Sequence, residues 1–440
     1  MRLLIVTPEF PPDHGGGIIT FYRDLTPALV QLGCEVQVLK GSAYINGQPD
    51  YEHEGIKVAV LQTERFSDWI ARFGHFSMFP ELQRHLAAAF AMHEQAVEGE
   101  GFDAVEVTDW GLLFLPWMIS SKAPVLVQLH GSCGQIAHYE PVAGREVEGG
   151  FALLLERVGL AAASSLCSYS NANVAWWEST LGRGVSYLPP PLDLRLQDSN
   201  VIRSGWVTFG RIQHWKGPQV ACSAWQRLGQ DAPPLDWHGR DTTHGASGLA
   251  MSAWLTQSYP QVWGETIRSC PQLPPAEVSA KMRRSKAVVI PSEWDVFNLV
   301  TAEAMACGCV VVVSTGAGAA DLIEHGRNGF VFPAGDDQAL ADIVRMVESM
   351  SDQERELMGS AAARTVLEQL DTAVVARQKM NLYQSILASA SNPPLWLHAT
   401  LLPAPSAARG ASFLDSLPLR ELASYVRDRA LRKVTGRKLR

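Results

Sequence analysis

Short runs of aliphatic and β-branched residues alternate with longer segments of helical periodicity along this chain of 440 residues. Such a pattern is typical of parallel sheets whose strands are joined by crossover helices. In the first half we predict strands at RLLIVT, EVQVLK, IKVAVL, AVEVT and PVLVQL, and a helix that ends at Gly33. In the second half the predicted strands are WVTFG, PLDWHG, AVVIPS, VVVVST and FVFPA. The chain is therefore predicted to be an α/β protein.

Three consecutive prolines at 189–191 interrupt the pattern between the two sets of strands. Neither a helix nor a central strand continues through them, because proline lacks the backbone donor that both elements need. The length of the chain allows two or three domains. We predict two similar wound domains, 1–193 and 194–370.

The composition excludes several classes of protein. Apolar residues form 47% of the chain and charged residues 19%, which supplies material for buried cores and argues against disorder. The net charge of -8 argues against a nucleic-acid-binding protein, which usually carries a basic stripe. The seven cysteines are odd in number and scattered, so we predict a reduced, cytoplasmic protein without a metal site. Cys307-Gly308-Cys309 could be a redox or metal fragment, but we interpret it as two small core residues.

The segment PSEWDVFNLVTAEAMACG (291–308) leads from a predicted buried strand into a helix that Asn298 is suited to cap. Ligands of open α/β sheets bind at such junctions, where the free amides at about 299–301 favour a phosphate. Glu303 lies one turn further, where its carboxylate could accept hydrogen bonds from a ribose. Asp295 could do the same for a second polyol, which suits a nucleotide sugar. A solvated loop acid and an ordinary helix residue are also consistent with this segment alone.

A second segment, GRIQHWKGPQV (210–220), follows the predicted strand WVTF. Arg211 and Lys216 are separated by four residues and lie between Gly210 and Gly217. Two cations at the end of a strand can neutralise a diphosphate, because Arg offers a planar fork of donors and Lys a mobile point charge. A solvated pair in a surface loop is the alternative.

Three glycines at 15–17 lie between the first predicted strand and the first predicted helix. Glycines at such a place let the backbone approach a ligand closely. They do not match the G-x-G-x-x-G fingerprint, and no convincing acidic residue ends a second strand at the expected distance. A dinucleotide-binding oxidoreductase is therefore disfavoured.

Together these residues resemble the retaining glycosyltransferases of family 4, which share the GT-B fold. The resemblance covers about residues 1–390, and its most specific part is PSEWDVFNLVTAEAMACGCVVVVS followed by GAADLIEHGRNGFVFPAGD. It implies two Rossmann-like, doubly wound domains that face each other across a cleft, the first for the acceptor and the second for the nucleotide-sugar donor. It also implies that a helix at 371–390 crosses back to the first domain, which makes 391–440 an appendage.

The resemblance implies roles for single residues in the second domain. Arg211 and Lys216 would hold the donor diphosphate and stabilise the leaving group. Glu303 matches the second of the family's paired acids, which binds the ribose, and Asp295 matches the first, which holds hydroxyls of the transferred sugar. The sequence departs from the family pattern at two positions, because Asp295 is usually Glu and Asn298 is usually Gly. A carboxylate one methylene shorter reaches less far, which bears on the identity of the sugar.

In the first domain, His130 matches a family histidine that faces the transferred sugar, although a lone histidine after a strand can be structural. Gly16 and Gly17 match the loop that approaches the diphosphate and the acceptor. Asp109 and Trp110 follow another predicted strand and are candidates for acceptor contacts, with core or surface roles as the alternative. The implied donor-binding residues are Gly16, Gly17, Gly210, Phe297, Asn298, Leu299, Val300, Thr301 and Glu303. Several tryptophans that we predict to lie in loops (Trp69, Trp110, Trp215 and Trp294) could line an acceptor groove, although core packing is the default.

The start of the chain and its last fifty residues could carry signals for secretion or membrane binding. The first apolar run is too short for a secretory signal, and no window reaches the roughly 18 uninterrupted apolar residues of a membrane span. Residues 391–440 begin as a proline-containing linker and end in 419–440, which carries eight Lys or Arg against two acids. This end could form a basic amphipathic helix on an anionic membrane, or a solvated terminal helix.

The resulting hypothesis is a cytoplasmic, metal-independent, retaining hexosyltransferase, either free in the cytoplasm or at the cytoplasmic face of the membrane. It would move a sugar from a nucleoside-diphosphate sugar, with UDP- or GDP-sugars favoured, to a glycan or lipid-linked acceptor in bacterial cell-surface polysaccharide or glycolipid synthesis. No cofactor is expected beyond the donor. The alternative is a non-catalytic sugar-binding or scaffold protein on the same fold, which the departure at Asp295 favours.

Overall fold

The computed structural model describes residues 1–13, 16–140, 146–193 and 203–388, together with a few residues between 423 and 431. Two sheets account for the strands of these ranges. The strands of the first sheet are β1 (Arg2–Thr7), β2 (Glu35–Lys40), β3 (Tyr51–His53), β4 (Ile56–Val60), β5 (Ala104–Thr108), β6 (Val125–Leu129), β7 (Ser165–Ser168) and β8 (Ser186–Tyr187). Those of the second sheet are β9 (Trp206–Phe209), β10 (Leu235–His238), β11 (Ile267–Cys270), β12 (Ala287–Ile290), β13 (Val310–Ser314) and β14 (Phe330–Phe332).

Helices connect these strands in both halves of the chain. The first half contains α1 (Gly17–Gln31), α2 (Thr63–Arg72), α3 (Pro80–Gln95), α4 (Cys133–Tyr139), α5 (Glu146–Ala162) and α6 (Asn171–Leu181). The second half contains α7 (Pro218–Leu228), α8 (Met251–Ser258), α9 (Pro275–Arg284), α10 (Leu299–Ala306), α11 (Asp337–Ser349), α12 (Asp352–Leu370) and α13 (Thr372–Ala388). None of the described helices is both long and apolar enough to cross a bilayer.

Both sheets are wound outwards in two directions from a central strand. The first has the order β3-β4-β2-β1-β5-β6-β7-β8, and only β3 pairs in antiparallel fashion. The second has the order β11-β10-β9-β12-β13-β14, and all its pairings are parallel. In such sheets ligands bind outside the carboxyl ends of the strands, where the winding direction reverses. The two switch points lie between β1 and β5 and between β9 and β12.

All ten predicted strands are present, and their apolar residues are the ones that the two sheets bury. Every residue of β12 and β13 is buried, for example. The predicted end of the first helix is also confirmed. Gly33 is left-handed with φ 87, and the amide of Cys34 reaches back to the carbonyl of Leu29 at 3.1 Å. The predicted helix between Asn298 and Gly308 corresponds to α10.

The prediction that Trp69 lies in a loop is wrong. It lies in α2 and packs on Phe73 and Phe90, with ring centroids 5.5 and 4.9 Å away. Trp294 lies in a loop and Trp215 in a single 3₁₀ turn, His214–Lys216, but both are buried, with 8% and 6% of their surface exposed. Most of these rings therefore contribute to cores, which was the default expectation for the tryptophans.

The last described helix, α13, returns to the first domain and packs against α1. The thiol of Cys34 and the sulfur of Met380 are 3.1 Å apart at this contact. The two domains also meet on the other side of the cleft. The ring of Tyr139, at the end of α4, stacks on Trp294 with centroids 4.6 Å apart and planes 9° apart. An aromatic contact between the two domains therefore lies beside the cleft.

Candidate active site

The N-terminal ends of α1 and α10 meet at the cleft. A Cβ atom added at Gly17 would lie 3.8 Å from Cδ1 of Leu299. Gly16 precedes α1 with φ 98, and a Cβ atom there would come within 2.5 Å of a carboxylate oxygen of Glu9, so this position requires glycine. Free backbone amides and the positive ends of two helix dipoles thus lie on either side of one small region, which favours an anion.

Two loops at the switch point of the second sheet carry the predicted charged residues. We call 210–217 the β9 loop and 291–298 the β12 loop. They are fixed against each other, because a Cβ atom at Gly217, where φ is 75, would overlap the carbonyl oxygen of Pro291. Lys216 of the β9 loop forms an ion pair with Asp295 of the β12 loop, and their side chains are 18% and 12% exposed. The structure therefore brings these two predicted residues together.

Asn298 has a backbone conformation that explains why glycine is usual at this position in the family. Its φ of 77 and ψ of 83 lie in the left-handed region, which asparagine tolerates better than most residues other than glycine. Its side-chain oxygen accepts a hydrogen bond from the amide of Thr301 at 3.1 Å and so caps α10, which means that the predicted free amide at Thr301 is engaged within the protein. Its side-chain amide donates to Asp295 at 2.9 Å. The two departures from the family pattern are thus in direct contact.

Arg211 projects from the same β9 loop into the cleft. Desolvation and the neighbouring guanidinium of Arg240 lower its pKa, whereas Asp295, Glu140 and Glu9 act in the opposite direction. Two guanidinium groups close together favour a ligand with more than one negative charge. Gly210, which starts the loop, accepts a hydrogen bond from the indole of a buried tryptophan through its carbonyl.

Glu303 lies on α10 and faces the first domain. Burial raises its pKa, and Arg23 of α1 opposes this effect across the cleft. Arg23 itself donates to Asp24 at 2.6 Å. Glu303, which is predicted to bind the ribose, therefore lies in the cleft, one turn after the start of α10.

His130 lies directly after β6, and its ring contacts aromatic side chains from two other elements. Nδ1 is hydrogen-bonded to the hydroxyl of Tyr169, and Nε2 lies 3.5 Å from the hydroxyl of Tyr22. Phe21 packs edge-to-face on the ring at 5.2 Å. Burial and, to a smaller extent, the charge of Lys379 lower its pKa well below the usual value. His130 is therefore neutral near pH 7, and both its ring nitrogens have partners within the protein.

Asp109, a candidate for acceptor contacts, is fully buried and faces the protein interior. Its two oxygens accept hydrogen bonds from the backbone amides of His130 and Gly131 at 2.8 and 3.3 Å. Burial raises its pKa to about 7. Asp109 therefore supports the loop that carries His130, which corresponds to the alternative core role. Trp110 is partly exposed and lies beside the ring of Tyr44, with centroids 6.5 Å apart, so it remains a candidate.

A buried glutamate that the sequence analysis missed supports the same loop. Glu156 of α5 accepts a hydrogen bond from the hydroxyl of Ser132 at 2.6 Å and from the amide of Gly134 at 2.8 Å. Burial, together with the nearby Asp109, raises its pKa to about 8. No local signal marks it, because a single acid in a helix is usually solvated.

Glu9 was also missed, although its place after β1 and before the glycine loop could have identified it. Burial and the charge of Asp13 raise its pKa to about 7, and Arg211 of the other domain opposes this. Glu9 thus adds a titratable group to the predicted anion site.

One group of three side chains within the described ranges has the spacing of metal ligands, namely Asp236, His238 and Cys270. The carboxylate of Asp236 is already paired with Arg268 and Lys281, at 2.5 and 2.8 Å. The group lies on β10 and β11, away from the β12 loop.

Two doubly wound domains with charged loops at facing switch points define a GT-B glycosyltransferase. Residues 16–184 match the family model for the glycosyl transferase 4-like domain, and residues 203–349 match that for glycosyl transferases group 1. The chain belongs to the family 4 type of GT-B glycosyltransferases.

Relatives of known name support this assignment. The chain is 34% identical over 383 residues to D-inositol 3-phosphate glycosyltransferase of Pseudarthrobacter chlorophenolicus, covering 82% of this chain and 89% of the relative. It is 27% identical over 392 residues to the protein of the same name from Paenarthrobacter aurescens, covering 82% and 91%.

Solved structures share the fold at lower sequence identity. Sucrose-phosphate synthase from Thermosynechococcus elongatus matches with a TM-score of 0.69 and 18% identity, over 89% of this chain and 100% of that one. Anabaena HepE, solved in complex with UDP and glucose, matches with a TM-score of 0.64 and 17% identity, over 88% and 100%.

Proposed function

We propose that this glycosyltransferase moves a sugar from a nucleoside-diphosphate sugar to an acceptor hydroxyl with retention of configuration and without a metal ion. The observation that carries the proposal is the position of Lys216, which lies beside Asp295 at the switch point of the second sheet, on a loop packed against the one that leads into α10. Arg211 projects from the same loop. Cations, amides and helix dipoles together suit a diphosphate leaving group.

The donor most consistent with this site carries UDP, with GDP as the alternative. Anabaena HepE, which has the same fold, was solved with UDP-glucose. Glu303 would accept hydrogen bonds from the ribose, and Asp295, held by Lys216 and Asn298, would meet hydroxyls of the transferred sugar. Because Asp295 is fixed by two partners, it would select for the position of a hydroxyl rather than adapt to it.

Catalysis would consist mainly of positioning and charge stabilisation. Among the described residues of the cleft, the predicted motifs supply no obvious carboxylate base for the acceptor hydroxyl. The acceptor would attack from the face that the leaving group departs from, and the departing phosphate would take the proton. Lys216 and Arg211 would then stabilise the charge that develops on the diphosphate.

The acceptor would bind to the first domain as a polyol, a glycan or a lipid-linked sugar in cell-surface polysaccharide or glycolipid synthesis. Two relatives are D-inositol 3-phosphate glycosyltransferases, so a small phosphorylated polyol is a reasonable first acceptor to test. The rings of Tyr44 and Trp110 lie side by side beyond the carboxyl ends of β2 and β5, and they would contact the acceptor. The predicted membrane-binding segment, 419–440, falls almost wholly outside the described residues, and membrane contact stays a proposal.

The decisive experiment compares thermal unfolding of the wild type and of Lys216→Ala with UDP, GDP, ADP, dTDP and CMP. A ligand at about 100 times its Kd stabilises the native state by roughly 2.7 kcal/mol. We expect one nucleoside diphosphate to raise the Tm of the wild type, and the variant to lose that shift. A wild type that responds to none of them would support the non-catalytic sugar-binding alternative, which the shorter acid at Asp295 favours.

A further inference from the structure

Lys379 of α13 is completely buried within the first domain. Its ammonium group lies 2.7 Å from Oε2 of Glu106 on β5 and 2.6 Å from Oε1 of Gln128 on β6. Glu106 is equally inaccessible to solvent. An apolar pair would hold α13 in place at least as well, because a buried ion pair must first be desolvated. The ion pair therefore calls for an explanation beyond helix packing.

Glu106 also accepts hydrogen bonds from two tyrosines. The hydroxyl of Tyr383 donates to Oε2 at 2.6 Å, and the hydroxyl of Tyr22 donates to Oε1 at 2.9 Å. An ionised carboxylate can only accept, so the phenolic proton of Tyr22 must point towards Glu106. The oxygen of Tyr22 is then left with lone pairs alone for any other neighbour.

That other neighbour is Nε2 of His130, at a long 3.5 Å. Because Tyr22 can only accept there, a hydrogen bond at this contact requires the proton of the imidazole on Nε2. Nδ1 is then bare and accepts a hydrogen bond from Tyr169. These donors and acceptors together favour the neutral tautomer of His130 that carries its proton on Nε2. We call Lys379, Glu106, Tyr22, Tyr169 and His130 the His130 network.

The titratable groups that face the imidazole come from four elements. Tyr22 lies on α1, Tyr169 follows β7, Lys379 lies on α13, and Glu106 of β5 stands behind Tyr22. A fifth group, Asp109 after β5, meets the backbone of the histidine rather than its ring. Lys379 thus supplies the one positive side-chain charge within the His130 network, and this charge opposes a second proton on the ring.

We propose that Lys379 is a positioning residue for sugar transfer, which acts through Glu106 and Tyr22 to keep His130 neutral with its N–H at Nε2. That N–H donates the hydrogen bond which a hydroxyl of the transferred sugar would accept, replacing the long contact with Tyr22. The inference rests on the proposed function, because it assumes that His130 faces the sugar. It adds that α13, which follows the donor-binding domain in the chain, sets the protonation of a residue in the other domain.

The first test uses the full-length wild type with 15N-labelled histidine, and His130→Gln assigns the signals. We expect 15N shifts that mark a protonated Nε2 and a bare Nδ1 from about pH 5 to pH 8, the range in which an unperturbed histidine titrates. The opposite tautomer, or an imidazolium within this range, would overturn the proposal. This measurement needs neither substrate nor a core substitution.

The second test removes the buried charges as a pair, with Lys379→Met and Glu106→Gln in one chain. We expect the titration midpoint of His130 to rise, because Lys379 is the charge of this pair that lowers the pKa of the imidazole, and the acidic limb of the kcat profile to move in the same direction with little change in KM. The matched control is Lys286→Met with Glu348→Gln, which deletes another 2.7 Å ion pair on the second domain. An unchanged midpoint in the folded paired variant would refute the proposal.

Tyr22→Phe provides a substitution that leaves the ion pair in place, should the paired variant fail to fold. It removes the link between Glu106 and His130, so we expect a mixture of both tautomers; a single unchanged tautomer would count against the network. The outcomes separate the two proposals. Full activity in His130→Gln would show that the histidine has no role in transfer, whereas the shifts of the wild type test the network by itself.

Discussion

Lys216 and Asp295 form an ion pair between the β9 and β12 loops, at the switch point of the second sheet. The two loops also fit closely against each other at Gly217 and Pro291, and within the β12 loop Asn298 donates to Asp295. The pair therefore fixes the position of a cation and of an acid relative to each other before any ligand arrives.

Lys216→Ala is expected to lower kcat by about 100- to 1,000-fold, as is typical when one preorganised electrostatic group is deleted. The measurement is initial rate against donor concentration, and Lys281→Ala, which removes a more exposed lysine of the same domain, serves as the control. Wild-type turnover in Lys216→Ala would exclude the proposed role of this residue.

Asp295→Glu and Asn298→Gly restore the usual family residues, and their effects should not be additive. The longer acid alone would be forced out of its contact with the asparagine amide, whereas glycine at φ 77 would leave room for it. We expect a coupling free energy of about 0.5–3 kcal/mol in kcat/KM, the usual range for residues in contact. Asp295→Glu combined with Ser351→Ala, far from the site, should be additive; additivity in both pairs would mean that the two departures are independent.

Glu156→Gln should flatten the dependence of stability on pH. The folded-state pKa of Glu156 is raised from 4.5 to about 8, so between these values the unfolded chain has released a proton that the folded protein retains. The associated stability is complete below pH 4.5 and is lost as the pH rises through about 8. We expect the wild type to lose on the order of a few kcal/mol over this window, and the variant to lose less, as measured by urea unfolding at several pH values.

The amide of glutamine can replace both hydrogen bonds of the protonated Glu156, to Ser132 and to Gly134, so the variant should fold. Glu64→Gln on the exposed surface of α2 is the control and should keep the slope of the wild type. A wild type whose stability does not fall from pH 5 to pH 8 more steeply than that of the variant would contradict the assigned shift.

Nucleoside diphosphate binding near pH 7 should be accompanied by uptake of a fraction of a proton at Glu9. Its pKa is already about 7, and a diphosphate that binds Arg211 would bring further negative charge close to it. The check is calorimetric titration in two buffers of different ionisation enthalpy, which should give different apparent enthalpies. Glu9→Gln should abolish the difference, while Glu64→Gln should not.

Much of the second domain could be predicted from sequence because its apolar runs coincide with fully buried strands. The edge strand β11, with the sequence IRSC, was missed, because half of its residues are exposed and carry no apolar pattern. The family resemblance identified Lys216, Asp295 and Glu303, and the structure places them around one cleft. It could not explain Asn298, whose left-handed backbone is a property of the folded loop.

Residues of the first domain were harder to assign, because their roles depend on contacts between distant parts of the chain. The sequence places Asp109 directly after a strand, where an acid is usually exposed, yet the residue is buried under the loop of His130. Glu156 and Lys379 show no local signal at all. The roles of these two residues become evident only in the folded protein, where α5 and α13 pack against the first sheet.

The return of α13 to the first domain determines when the core of that domain is completed during synthesis. Tyr383 and Glu106, which bond directly, are 277 residues apart in the chain. At a synthesis rate of about 5–20 residues per second, Glu106 leaves the ribosome on the order of tens of seconds before Lys379 and Tyr383 do. A nascent first domain therefore has an incomplete core, in which Glu106 lacks its ammonium partner throughout the synthesis of the second domain. We expect the first domain to depend on this late packing of α13, so that a chain that ends before residue 372 would stay bound to ribosome-associated chaperones.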